Sequence, residues 1–180
     1  MHPRTTELIQ YIDEQAATLR AAFEAVPAER RAARSTPGRW SPAEIVHHVV
    51  IVEGAITGLL RGLVEKARSV GPDHDESPIL ATINPQRFVR RERRIVTSER
   101  SEPRDTNAAN VWADFERTRL ALKDVIASGD GFALNEVSAP HPALGTLTGY
   151  AWIAFAGAHA ARHADQIREE ATAITDRHGH

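Results

Sequence analysis

Arg39-Trp40-Ser41-Pro42-Ala43-Glu44-Ile45-Val46-His47-His48-Val49 carries the signals that start a helix. Ser41 takes the N-cap, Pro42 the first helical position, and Glu44 completes a Ser-x-x-Glu capping box that reaches back to the cap amide. Behind this start Ile45, Val49, Val52, Ile56, Leu59 and Leu63 recur every three or four residues. That periodicity predicts an amphipathic helix running to about Ala67, with Gly71-Pro72 as its stop.

Three further long helices follow from the same reasoning. On the N-terminal side, Leu8, Ile12, Ala16, Leu19 and Phe23 mark a helix from Thr5 to Val26, and a connector broken by Pro37-Gly38 joins it to Trp40. On the C-terminal side, Val111, Phe115, Leu122 and Val125 mark a helix over about 107–127, ended by Gly129 and Gly131. A last helix is predicted over about 147–175. Between the second and third lies a long polar connection, in which 69–84 read as loop. There Asn84-Pro85 repeats the cap-plus-proline signature and opens a short Arg-rich helix to about 97, and Ser98–Asp105 reads as a linker. No sustained strand alternation is present, and 132–145, with Pro140, Pro142 and Gly145, reads as loop. The expectation is an all-α fold, one four-helix bundle domain over 1–180, with sites built from side chains that project inward.

Composition excludes several classes of chemistry. The 180 residues include no cysteine, so disulfides, thiolate metal sites and a cysteine nucleophile are ruled out, and any metal must be held by histidine and carboxylate. A net charge of −2 gives no global field that favours nucleic acid or an anionic membrane. With no run of about 18 uninterrupted apolar residues and no apolar leader, a cytoplasmic protein without membrane or nucleic-acid partners is expected. The run Arg87–Arg94 contains five arginines that could grip an anion, but in an acidic chain it reads first as a solvated helix face.

The nine histidines are the unusual feature. His48 lies on the apolar stripe of its helix, whereas His47 is turned about 100° away. His159 and His163 stand one turn apart on the face shared with Trp152, Phe155 and Ile167, where two imidazoles can converge on one ion. Alone, that pair reads more readily as two core histidines satisfied by hydrogen bonds. A third inward imidazole on a separate helix shifts the reading to metal, because three buried imidazoles are costly unless something binds them. A fourth protein ligand such as Glu53 or His47 would close the ion into a structural role, and its absence would leave a position open for chemistry. Arg162 and Gln166 flank the pair as residues that could orient ligands or hold a carboxylate. His141 falls in a proline-flanked loop expected near the bundle mouth, where it could touch substrate or serve only as a turn residue, and Trp40 and Trp152 read as core packing rather than substrate stacking.

The stretch 39–49, the segment His141-Pro142-Ala143-Leu144-Gly145-Thr146-Leu147-Thr148 and the helix Trp152 to Ile167 together resemble the DinB-like superfamily, over nearly the whole chain. The resemblance implies an up-down-down-up four-helix bundle whose long crossover contains the short extra helix, often assembled as a homodimer. It also implies a divalent metal, zinc or nickel, on three histidines. The first falls eight positions after the tryptophan, on His48, and the others fall on His159 and His163. Relatives include transferases using bacillithiol, mycothiol or glutathione and a maleylpyruvate isomerase. The implied activity is therefore metal-dependent transfer of a low-molecular-weight thiol to an electrophile. A hydrolase or isomerase on the same ion, or a non-enzymatic metal-binding stress-response module, are the alternatives.

Overall fold

The computed structural model describes residues 1–69, 77–89 and 99–178. Four long helices dominate it: α1 (Pro3–Glu24), α2 (Pro42–Val64), α5 (Val111–Ser128) and α6 (Gly149–His178), with short helices α3 (Ile79–Ile83) and α4 (Gln86–Val89) between the second and third. The capping box at α2 forms as expected: Glu44 N–H donates to Ser41 Oγ at 3.2 Å and Ser41 N–H to the Glu44 carboxylate at 2.8 Å.

Three local expectations are corrected. Asn84 does not cap a following helix: at φ 52° it ends α3, donating its N–H to Leu80 O at 2.9 Å, so part of the expected 69–84 loop is helical. A short amide side chain is among the few that tolerate this left-handed backbone, which suits the end of a helix as well as the start. The expected loop 132–145 contributes a strand, β1 (Ser138–His141), which pairs antiparallel with β2 (Gly145–Thr148) in the register Ser138 to Thr148 and His141 to Gly145. Strands of four residues carrying Pro140 are too short to show alternation. Because 145–148 are paired, α6 begins at Gly149, whose N–H is shared between Leu134 O and Val137 O, both at 2.9 Å. The Arg-rich segment is helical at Gln86–Val89, and its continuation over 90–98 lies outside the described residues.

α6 packs against α1 and α2, and α5 against α2. Arg4 lies over the Tyr150 ring and Tyr11 against Gly157, so α1 and α6 advance together. Glu53 meets Arg119 and Val64 meets Gly129, so α2 and α5 also advance together. α1 and α5 run oppositely, with Lys123 on Asp13 and Arg20 on Glu116. Over an 18-residue window α2 has a mean hydropathy of 1.5, enough by length and composition alone to cross a membrane. Here its apolar stripe is core: Ile45, Val46, Val49, Ile56 and Leu60 are all nearly fully buried.

The apolar interior divides into two clusters. One contains Leu8, Ile12, Ile56, Leu60, Leu122, Trp152 and Phe155. The other contains Leu19, Phe23, Ile45, Val49, Phe115 and Ile167. Where they meet, the interior is polar. Glu53, only 1% exposed, takes two bonds from Arg119, at 3.0 and 2.7 Å, and Arg119 also donates to the carbonyl of Ile12. One pair thus ties α2, α5 and α1. Removing one partner strands a buried charge, so Glu53→Leu is expected to cost about 3–5 kcal/mol. Glu53→Leu combined with Arg119→Met should recover most of that, and urea unfolding of the two variants reads the difference.

Candidate metal centre

His48 reaches the bundle interior from α2 because it sits one turn from Ile45 and Val52 on the buried stripe. His159 and His163 reach the same place from α6. One ring nitrogen of each of the three lies within 4.8 Å of those of the other two. Ring centroids are 4.4 Å apart for His159 and His163, 4.8 Å for His48 and His163, and 5.1 Å for His48 and His159. His48 and His163 are buried, at 5% and 7% exposure, while His159 is half-buried.

Hydrogen bonding at the other ring nitrogens decides what this cluster can do. His48 Nδ1 lies 2.7 Å from the carbonyl oxygen of Ser101, which can only accept, so Nδ1 carries the hydrogen and Nε2 of the neutral ring has its lone pair free. His163 Nδ1 lies 2.8 Å from the side-chain oxygen of Gln166, with the same consequence. The Nε2 atoms of His159 and His163 are 3.1 Å apart. With the lone pair of His163 directed at His159, that contact requires either one proton or a cation between the two nitrogens. Two donors at about 2.0–2.1 Å from a common ion are separated by about 3.3 Å, so the spacing of His159 and His163 fits a shared divalent ion, and the three nitrogens within 4.8 Å are compatible with one.

Burial sets the protonation. It lowers the His48 pKa below the ordinary 6.5, only partly opposed by the Ser101 carbonyl. It lowers that of His159 well below 6.5, helped by the neighbouring His163, His48, Arg162 and His141. Both rings are therefore held neutral, the form that binds metal.

Of the other residues singled out from sequence, Gln166 meets His163 directly and Arg162 is close enough for its charge to act on His159. Trp40, read as core packing, lies over His48 with centroids 4.9 Å apart, while Trp152 is buried and gives its indole N–H to Ala139 O. His141 packs on Phe155 at 4.6 Å, and Phe155 packs on His159 at 5.6 Å. Neither suggested fourth ligand joins the cluster: Glu53 is held by Arg119, and His47 turns to the Thr106 hydroxyl at 2.7 Å. Among the described residues no other His, Asp or Glu completes the donor set. Sequence reasoning missed the carbonyl of Ser101, because a backbone acceptor leaves no trace in residue identity.

The lowered imidazole pKa values make stability depend on pH. Below about 6.5 the unfolded chain protonates these rings while the folded, metal-free state resists, so the unfolded state binds more protons and stability falls as pH falls. Each neutral ring contributes up to about 1.4 kcal/mol per pH unit until its folded pKa is reached. Urea midpoints of chelator-treated protein between about pH 7.5 and pH 5 should decline, and less steeply in His159→Gln.

No curated protein and no solved structure matches the chain. The family model described as the DinB superfamily matches residues 11–167, a span that includes the three clustered histidines and nearly all of the bundle. The chain belongs to the DinB superfamily.

Proposed function

We propose that the protein is a metal-dependent enzyme in which His48, His159 and His163 hold a divalent ion, zinc or nickel, and that it transfers a low-molecular-weight thiol to an electrophilic small molecule. The observation that carries this reading is the donor set: three imidazole nitrogens within 4.8 Å, with no further protein ligand among the described residues. Such a set leaves a coordination position for a small molecule, the arrangement of catalytic rather than structural sites. An ion held there would supply Lewis acidity that makes a thiol a thiolate near neutral pH.

The chain's own contribution is orientation and exclusion of water. Ser101 and Gln166 fix the rings of His48 and His163, Trp40 packs on His48, and Phe155 packs on His159. In this reading Arg162 holds an anionic part of the thiol or its acceptor. The sulfur comes from the cosubstrate, since the chain has no cysteine. Bacillithiol, mycothiol and glutathione are the cosubstrates to test. The same reading includes the up-down-down-up order of α1, α2, α5 and α6, supported by the pairings of Arg4 with Tyr150 and of Glu53 with Arg119, and assembly as a homodimer.

Metal analysis should find stoichiometric metal lost in His48→Ala and retained in His47→Ala, because only the first ring faces the cluster. Gln166→Leu, which frees the His163 ring to turn, should weaken metal binding about 10–100-fold.

The metal-loaded protein should accelerate conjugation of one of the three thiols to an epoxide or halo-aromatic compound. Chelation and His159→Ala should each remove the rate above the uncatalysed background. Exchangeable metal without turnover of any of the thiols would replace transfer by hydrolysis, isomerisation or a non-enzymatic binding role.

A further inference from the structure

His141 ends β1 opposite Gly145, whose φ of 76° turns the chain back into β2. Within that turn the backbone N–H of Ala143 donates to His141 Nδ1 at 3.1 Å. A backbone N–H can only donate, so Nδ1 holds a lone pair and the neutral ring carries its hydrogen on Nε2. This is the opposite of His48 and His163, whose Nδ1 atoms face the oxygens of Ser101 and Gln166. The partner spans only two residues, so the turn itself sets this tautomer.

The ring also lies beside the cluster without joining it. It is half-buried, packed on Phe155 at 4.6 Å and on Trp152 at 5.3 Å, and Phe155 lies 5.6 Å from His159. It is close enough to act electrostatically on His159, and burial lowers its own pKa, which keeps the ring neutral. The three-nitrogen donor set does not include it.

We propose that His141 is a fourth imidazole of the site, one that leaves the ion to the other three and donates a hydrogen bond from Nε2–H to an anion bound at the ion. The proposal rests on the metal-site reading above. A neutral donor suits a thiolate, hydroxide or carboxylate equally, because it favours negative charge at that position without competing for the metal. His141 thereby selects for an anion in the position the protein ligands leave open.

Two measurements on the full chain test this. Long-range ¹H–¹⁵N spectra of metal-free and zinc-loaded protein should show His141 as the Nε2–H tautomer in both; the Nδ1–H tautomer in either would overturn the proposal. Cobalt-loaded protein titrated with azide, followed by its visible absorption, should bind azide about tenfold more weakly in His141→Phe, at unchanged cobalt affinity. His141→Gln, which keeps a donor, should recover most of the loss. Azide affinity unchanged in His141→Phe overturns this proposal alone, and loss of cobalt in that variant makes His141 a ligand and also overturns it. Failure of the wild type to bind cobalt overturns the metal-site reading, and this proposal with it.

Discussion

Three imidazoles from two helices share the buried interior of an apolar bundle, and the partners of their outer nitrogens decide which lone pairs turn toward the cluster. An imidazole in water can choose either tautomer, but a buried one takes the tautomer that the partner of its outer nitrogen dictates. For His48 that partner is the carbonyl of Ser101, and for His163 it is Gln166, one turn further along α6. The helix pair α2 and α6 brings the rings together, but the tautomers depend on the crossover and on a side chain outside the cluster. A bundle with the same helices and a different path near Ser101 would place three histidines together without orienting His48.

The histidines are one part of a polar level where the two apolar clusters meet. Glu53 and Arg119 form a second buried polar group, between α2 and α5, and the carbonyl of Ile12 completes the arginine's bonding. Further along α6, the fully buried Glu170 takes bonds from Ser35 and Arg39, which fastens the connector before Trp40. Apolar contacts tolerate sliding of one helix past another, whereas each of these groups has one acceptable register. Trp40 follows directly from the residues Glu170 holds, so its position over His48 is set from α6 as well as from α2.

Much of this was legible in the sequence, and the reason is period. His48, His159 and His163 fall on buried faces because helical phase is fixed by the apolar residues around them, and side chains on a long helix cannot drift from that phase. Ser41, Pro42 and Glu44 announce their box because each residue type does one job there. What was not legible was local or non-local in a way that period does not encode. Asn84 fits the end of one helix as well as the start of the next, and the choice depends on Ile79 and Ile83 being buried. The hairpin 138–148 has too few residues per strand for alternation to be recognised in the sequence. Glu53 could have been a metal ligand by phase alone, and only the arrival of Arg119 from a helix 66 positions away assigns it elsewhere.

That last assignment bears on the chemistry. Three neutral nitrogens leave the double charge of a divalent ion uncompensated, and an uncompensated charge beside Phe155, Trp40 and the α2 stripe is expensive. The carboxylates that are buried in the described interior, Glu53 and Glu170, are both already committed to arginines and cannot neutralise it. Arg162 nearby adds further positive potential rather than relieving it. In the proposed reading the compensating anion must therefore come from outside the chain, which makes the affinity of the fourth position for a thiolate or other anion a consequence of where the protein has placed its own acids.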